Sequence, residues 1–401
     1  MKKTITLLLC LLLLCCTVFL AACNQNDGGD ESCSHTYNAQ NICTLCGKEL
    51  AFTEGLSYEL INNGTECAVS GVGTAGEETN VVIPSYYKEK PVTAISSSAF
   101  SGDTWMTSIV IPDSVTSIGD SAFNGCSGLT SITIPDSVTS IGPYAFDGCS
   151  ALNAVYITDL AAWFKLSFHF NSNPCQYAHN LYLNDELITY LVIPSDITSI
   201  GNYVFSGCSA LTSITIPESV TSIGDSAFKG CSGLTSINIP NSVTSIGDSA
   251  FNGCSGLTSI TIPESVTSIG FDAFGDCSNL KTATFSEGIQ LEGISAQTFF
   301  DCSNLTSITI PANISYIGFS AFNGCNSLTS ITIPYSVTTI EQNAFFRCDN
   351  LTDVIFENTS GWERNDGLFD YESISAADLE SASTAANYLK SDYCEYIWKR
   401  Q

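Results

Sequence analysis

The sequence predicts a β-rich solenoid of about ten coils of 23 residues each, with short helical turns and a cap at both ends. Two periodic features carry this prediction. One is a column of cysteines that mostly recur every 23 residues: Cys126, Cys149, Cys208, Cys231, Cys254, Cys277, Cys302, Cys325 and Cys348. The other is a phenylalanine that recurs beside them: Phe100, Phe123, Phe146, Phe205, Phe228, Phe251, Phe274, Phe299, Phe322 and Phe345. Such a period indicates stacked coils, because one coil cannot bury its own apolar face.

A single repeat, Leu129 to Cys149, shows what each position contributes. Ile132 and the isoleucine two residues later alternate with polar residues, as on a strand with one buried face. Pro135 has no N–H to donate and therefore ends the strand. A second inward-facing segment contains Ile141, and Phe146 then fills the interior from a short helical turn. We expect the cysteines to be buried free thiols that act as small apolar residues.

The repeat LTSITIPDSVTSIGPYAFDGC closely resembles the unit of the BspA-like leucine-rich-repeat family, L-x-x-L-x-L-P-x-x-L-x-x-I-x-x-x-A-F-x-x-C. The resemblance extends over about residues 81–357. It implies a leucine-rich-repeat solenoid that is exposed at a bacterial cell surface and adheres to host proteins or to neighbouring cells. It implies no catalytic residues, so none are assigned from it.

The first 22 residues have the pattern of an export signal. Lys2 and Lys3 precede an apolar run that is too short for a comfortable transmembrane helix and ends at small residues. The tetrad Leu20-Ala21-Ala22-Cys23 resembles the lipobox of bacterial lipoproteins, in which the cysteine is acylated. The expectation is an exported, extracytoplasmic protein that acyl chains on Cys23 anchor to the membrane. The alternative is a plain secretory signal with a chance cysteine.

The charge of the chain is strongly one-sided, with 13 Lys and Arg against 40 Asp and Glu. Such a surface repels phosphate backbones, which argues against nucleic acid as a partner. It also gives no attraction to anionic lipid, so membrane attachment needs the covalent anchor.

Residues 23–50 form a polar tether that contains a small cluster of metal-ligand residues: Cys33, His35, Cys43 and Cys46. Two close pairs joined by a short loop match a tetrahedral zinc site with three sulfur ligands and one nitrogen ligand. One structural zinc is therefore the expected cofactor, and its four protein ligands leave no open position for catalysis. A disulfide is the rival interpretation, because thiols oxidise outside the cytoplasm.

The remaining boundaries follow the repeat. Residues 51–105 are expected to form an N-terminal cap and first repeat, and residues 106–357 the solenoid. Residues 358–401 are expected to form a C-terminal cap with a helix around 377–389, which shields the last coil. An insert at 158–192 interrupts the period, with a predicted helix near 160–166 and a predicted hairpin whose turn is at Asn184 and Asp185.

The insert is the one region where aromatic residues and histidines coincide with extra chain length. Its candidate contact residues are Tyr177, His179, Tyr182 and Trp163. A competing interpretation of Trp163 places it with Phe164 and Phe168 in a small core of the insert itself.

Recurring Ser and Thr at the outward strand positions, such as Thr130, Ser131 and Thr133, predict ladders of hydroxyls that suit an extended or multivalent partner. The leading functional hypothesis is an adhesin or interaction scaffold for host or bacterial surface macromolecules. The first alternative is a glycan-binding lipoprotein that uses the aromatic insert. A remote alternative is an enzyme with a site in the insert, built from His169, His179 or Asp159.

Overall fold

In the computed structural model, which describes residues 52–365 and 371–400, the chain winds into a solenoid of about 13 turns. Each turn contributes a strand to the first of two parallel columns, which we call column A. Its strands are β3 (Asn80–Val82), β6 (Ser108–Val110), β8 (Ser131–Thr133), β10 (Ala154–Ile157), β12 (Leu181–Leu183), β14 (Tyr190–Val192), β16 (Ser213–Thr215), β18 (Ser236–Asn238), β20 (Ser259–Ile262), β22 (Thr282–Phe285), β24 (Ser307–Ile308), β26 (Ser330–Ile333) and β28 (Asp353–Phe356).

Shorter strands form a second parallel column, column B. They are β5 (Lys90–Ile95), β7 (Ser117–Ile118), β9 (Ser140–Ile141), β11 (Ser167–Phe168), β15 (Ser199–Ile200), β17 (Ser222–Ile223), β19 (Ser245–Ile246), β21 (Ser268–Ile269), β23 (Gly293–Ile294), β25 (Tyr316–Ile317) and β27 (Thr339–Ile340). Coils stack in register, with Ile214 beside Ile237 in column A and Ile223 beside Ile246 in column B. Every coil therefore presents the same faces inward and outward.

A stack of phenylalanine rings fills the interior. Successive rings lie nearly parallel, with interplanar angles of 3–12° and centroids 5.2–5.8 Å apart. The stack has two segments, Phe100 to Phe146 and Phe205 to Phe345. Within each segment every ring contacts the ring of the neighbouring coil, and other buried apolar side chains make the core continuous between the segments although no coil has a core of its own.

All nine cysteines of the predicted column are buried free thiols, which confirms the sequence interpretation. Eight of them also donate a hydrogen bond to the carbonyl oxygen of the phenylalanine in the preceding coil, at S–O distances of 3.0–3.3 Å. The ninth, Cys208, is instead hydrogen-bonded to the free thiol of Cys175. Burial raises the pKa of the other eight thiols, to about 12 for Cys149 and Cys348, and the hydrogen bond with Cys175 together with burial raises that of Cys208, so the sulfurs stay protonated and unreactive.

The predicted solenoid class is confirmed, but the prediction of ten coils was too low. Three further strands of column A, namely β10, β12 and β28, are not followed by the Ala-Phe pair from which the copies were counted. The first two lie in the irregular region after Cys149, and the third leads into the C-terminal segment. The inward-facing strand pattern persists there although the turn residues differ.

The predicted insert is an irregular continuation of the solenoid and not an appendage to it. It contains helix α1 (Leu160–Lys165), strand β11 and helix α2 (Cys175–Ala178). Phe168 pairs with Ile141 of column B, and Cys175 lies in the interior beside Cys208. These elements reproduce a whole coil, which is followed by the predicted hairpin of β12 and β13 (Glu186–Leu187). The predicted helix and hairpin are both confirmed.

At the N-terminal end, β1 (Ser57–Ile61) and β2 (Glu66–Gly71) form an antiparallel hairpin across a 3₁₀ turn at Asn62–Gly64. Strand β2 then pairs in parallel with β5, so the hairpin extends column B. The short β4 (Tyr86–Tyr87) pairs antiparallel with the first two residues of β5, Lys90 and Pro91.

At the C-terminal end, column B finishes on antiparallel strands. Strand β31 (Ile397–Arg400) pairs with β27 and with β29 (Trp362–Asn365), which also pairs with β30 (Glu372–Ser373). The predicted single helix is instead two short ones, α3 (Ala376–Glu380) and α4 (Ala382–Asn387), followed by a π-helical turn at Tyr388–Asp392. Ser381 has an extended backbone between them, because serine favours the boundary of a helix over its interior.

Candidate interaction surfaces

The residues predicted from the sequence to carry chemistry fall into two groups. The lipid-attachment residue and the four candidate zinc ligands, Cys23, Cys33, His35, Cys43 and Cys46, lie outside the described residues. The candidate contact residues of the insert lie within them. Their positions decide which surfaces a partner can reach.

Trp163 was wrongly placed among the surface contacts. Its side chain is only 2% exposed, and its indole N–H donates a hydrogen bond of 3.0 Å to the carbonyl oxygen of Val204. The ring packs edge-on against Phe168, and Phe164 packs against Phe205. The competing interpretation is therefore correct: these three aromatics bury the insert against the coils that follow.

The other three candidates are accessible to different degrees. Tyr177 is half-buried, and its hydroxyl donates to the Asp147 carboxylate. Burial, followed by this hydrogen bond, raises the pKa of Tyr177 to about 12. His179 is exposed at the end of α2, with Nδ1 3.4 Å from the carbonyl oxygen of Gly207. Tyr182 lies on the outward side of column A. The structure thus distributes these residues between two surfaces.

The outward side of column A carries the predicted ladders of Ser and Thr, and we call it the hydroxyl face. Some of its hydroxyls are already occupied: Thr130 Oγ1 donates to the Thr107 carbonyl oxygen at 3.2 Å, and Thr212 Oγ1 donates to that of Thr189 at 2.8 Å. These bonds tie each coil to the one before it. Thr133 and Thr261, further along their strands, are exposed and can meet a partner.

Tyrosines interrupt the hydroxyl face near its middle. Tyr156 takes the position of Thr133 in the next coil and stacks on Tyr182 with ring centroids 4.9 Å apart. Tyr190 is 58% exposed, and its hydroxyl is 3.0 Å from Thr215 Oγ1. Tyr156 and Tyr190 were not predicted from the sequence, although each is an aromatic residue at a position that is Ser or Thr in most repeats.

A second aromatic group lies on the turn side of the solenoid. Phe170 is 53% exposed and packs edge-on against Tyr144 at 5.5 Å and Tyr203 at 6.5 Å. Tyr144 and Tyr203 both occupy the left-handed backbone position two residues before the stacked phenylalanine, where Ser is frequent. Beside them is a cavity of about 270 Å³.

The structure does not bring Asp159, His169 and His179, the residues of the enzyme hypothesis, together in a recorded contact. The Asp159 carboxylate accepts a hydrogen bond of 2.8 Å from the Ala161 N–H and so caps the first turn of α1. His169 and His179 are both exposed. Among residues 52–365 and 371–400, no group of three or more His, Cys, Asp or Glu side chains is placed to hold a metal ion.

The parallel strand columns, the stacked rings and the 23-residue period define a leucine-rich-repeat solenoid. A family model described as "BspA type Leucine rich repeat region (6 copies)" matches residues 93–178, 176–292 and 292–391, and the chain belongs to this family. A comparison with curated proteins finds no match.

Several solved structures are similar to the chain. A leucine-rich cell surface protein from Faecalibacterium prausnitzii A2-165 is 27% identical over 84% of this chain and 98% of its own, with a TM-score of 0.48. A leucine-rich repeat protein from Bacteroides ovatus ATCC 8483 is 27% identical over 76% of this chain and 87% of its own, with a TM-score of 0.44. Within the part of the chain that the structure describes, no helix combines the length and apolar character needed to cross a membrane.

Proposed function

We propose that the protein is a surface-anchored interaction scaffold whose hydroxyl face binds macromolecules of a host or of neighbouring cells. The observation that carries the proposal is that three outward positions of column A near its middle carry tyrosine: Tyr156 and Tyr182, which stack on each other, and the exposed Tyr190. Tyrosine offers a large, rigid contact area and a polar end, and contacts of this kind dominate the energetics of many protein interfaces.

The surroundings of these tyrosines support the same proposal. Val192, on the same strand as Tyr190, is 53% exposed, so apolar area adjoins the rings. Exposed threonines such as Thr215 surround them and supply hydrogen-bonding groups at regular intervals. An apolar centre within a polar rim is the usual anatomy of a protein–protein interface.

The test is binding of the full-length protein in detergent to immobilised host matrix proteins and to intact bacteria. We expect the variant with Tyr182→Ala and Tyr190→Ala to bind at least about tenfold more weakly than the parent. Tyr86→Ala is the control, because Tyr86 is 65% exposed, close to the 58% of Tyr190, but lies in β4, away from the hydroxyl face. Equal losses in the two variants, or none in either, would contradict the proposal.

We further propose that acylated Cys23 anchors the protein outside the cytoplasm. Acyl chains insert into the bilayer and would hold the acidic solenoid at its surface without electrostatic attraction to lipid. Cys23→Ala should abolish lipid labelling and move the protein out of the detergent phase, or arrest its processing. Unchanged detergent partitioning of this variant would contradict the anchor.

A further inference from the structure

The cavity on the turn side of the solenoid is bounded by two separate parts of the chain. Phe170, Gln176 and His179 come from the irregular coil, and Tyr203, Ser206 and Lys229 come from the two coils that follow. Gly207 makes this contact possible. A Cβ atom at Gly207 would lie 2.4 Å from the Cα atom of Gln176, so only glycine lets α2 approach closely enough.

The side chains that line this cavity differ in charge from most of the chain, although Asp225 and Asp248 of neighbouring coils act electrostatically on Tyr203. Its lining contains Lys229 and His179 and no carboxylate. Two other cavities are acidic, since one is lined by Glu287 and Glu357 and the other by Asp225 and Asp248. In a chain with 40 acidic residues, an acid-free cavity with an exposed ammonium group is therefore a distinctive site.

Lysine is also scarce in this part of the sequence. Between residues 91 and 280 the only basic residues besides the two histidines are Lys165 and Lys229. Lys229 interacts electrostatically with Asp272, but the two do not form an ion pair within 4.0 Å. Its ammonium group therefore keeps donors for a ligand.

The remaining lining groups suit a sugar. The exposed ring of Phe170 and the ring of Tyr203 offer apolar surface for the C–H groups of a pyranose. The side-chain amides of Asn171 and Gln176 offer donors and acceptors for its hydroxyls, and the Gln176 amide is held in place by donating to the buried Ser206 hydroxyl at 3.1 Å. A volume of about 270 Å³ is just below the range of roughly 300–1,000 Å³ found for sites of drug-sized ligands, which limits the occupant to about one sugar residue.

We propose that this cavity binds one acidic sugar residue of a glycan, with Phe170 and Tyr203 against the ring and Lys229 against its anionic group. The proposal does not depend on the hydroxyl face, because the residues that carry it lie on the turn side. It gives the protein a carbohydrate specificity in addition to contacts with macromolecular partners.

The test uses three probes that differ at one carbon: glucuronic acid, glucose and glucose 6-sulfate. Ligand-observed NMR titration of the full-length protein in detergent gives a dissociation constant for each. We expect glucuronic acid to bind at least about tenfold more tightly than glucose, because a hydrogen bond to a charged group adds to those of the hydroxyls. The sulfate ester distinguishes carboxylated from sulfated glycans as the source of the anionic group.

Two variants and a matched control locate the site. Lys229→Gln should remove the preference for glucuronic acid over glucose, and Phe170→Ala should weaken the binding of every probe. Lys165→Gln is the control, because Lys165 is the other exposed lysine of this region but does not line the cavity. No binding of any probe, equal binding of glucose and glucuronic acid, or an equal effect of Lys165→Gln and Lys229→Gln would overturn the proposal.

Discussion

The thiol of Cys254 donates a hydrogen bond to the carbonyl oxygen of Phe228 in the preceding coil, over an S–O distance of 3.2 Å. Phe228 in turn stacks on Phe251, which belongs to the same coil as Cys254. The two recurring columns of the repeat thus act together: the ring fills the coil, and the thiol donates a hydrogen bond to the main chain that carries the ring of the preceding coil. Apolar packing alone would not require sulfur at this position.

The bonded, buried thiols predict that stability falls at alkaline pH. Above about pH 8.5 thiols of an unfolded chain lose their protons, whereas the native column keeps them because its pKa values are raised. The unfolded state then binds fewer protons, so the free energy of unfolding decreases as pH rises, by about 1.4 kcal/mol per pH unit for each thiol.

Guanidinium unfolding under argon with a non-thiol reductant at pH 8, 9 and 10 measures this decrease. Cys254→Ala should reduce the slope against pH by one thiol's share, whatever its effect on stability at pH 7. A midpoint that does not change between pH 8 and pH 10 would mean that the thiols are not shielded in the native state.

The ring stack predicts that truncating a residue inside the solenoid lowers the free energy of unfolding far more than truncating one on its outer surface. Phe251→Ala removes a fully buried ring from between two neighbours and should cost about 3–5 kcal/mol of unfolding free energy. Thr258→Ala changes an exposed residue in the strand region of the next coil and should cost little. Denaturant unfolding of both variants gives the comparison, and similar costs would contradict the assignment of inside and outside.

The irregular coil should be removable if the register is kept. Cys149 and Cys208 are 59 residues apart, so a deletion of 36 residues, 156–191, restores the 23-residue step and leaves Val155 and Ile193 at their repeat positions. We expect this variant to unfold cooperatively, with Phe146 and Phe205 in adjacent coils. Circular dichroism and thermal unfolding are the measurements.

A deletion one residue shorter, 157–191, is the control for that experiment. It shifts the strand by one position and turns Ile193 outward, since side chains alternate along a strand. We expect it to be clearly less stable than the 36-residue deletion. Equal stability of the two would show that the strand register does not determine how the coils join.

The cluster of Cys33, His35, Cys43 and Cys46 predicts bound zinc. Protein purified without chelator should contain about one zinc per chain, and Cys43→Ser should lose it, because three ligands hold the ion far less well than four. Metal analysis by mass spectrometry is the measurement. Absence of metal together with a disulfide among these cysteines would support the rival interpretation.

Periodicity was sufficient to predict the architecture but not the irregular coil. Phe251 and Cys254 recur at a fixed step, so their burial followed from the sequence. Cys175 lies 26 residues after Cys149 and 33 before Cys208, and no fixed period connects it to either. Phe168 likewise occupies a position of column B that is isoleucine in other coils, and no recognisable repeat surrounds it in the sequence. Tertiary packing, and not local spacing, brings Cys175 beside Cys208 and Phe168 beside Ile141.

The candidate sites were predicted less well because they depend on contacts between distant segments. Tyr156 and Tyr203 differ from the Ser or Thr of neighbouring repeats, and this difference was visible in the sequence. The cavity beside Tyr203 was not, because it exists only where α2 packs against Gly207. Lys229 appeared in the sequence as one more variable turn residue, and only the fold brings it close to Phe170 and His179.

We expect the gap in the phenylalanine stack to divide the solenoid into two cooperative units. Phe146 ends a series of three parallel rings and Phe205 begins a series of seven, while Phe164 meets Phe205 edge-on at 5.3 Å between them. Coupling between repeats passes through nearest neighbours, so a fluctuation that opens one end of a regular solenoid propagates from coil to coil. At this junction an edge-on contact replaces parallel stacking. Hydrogen–deuterium exchange should therefore give different opening free energies for the amide protons on its two sides.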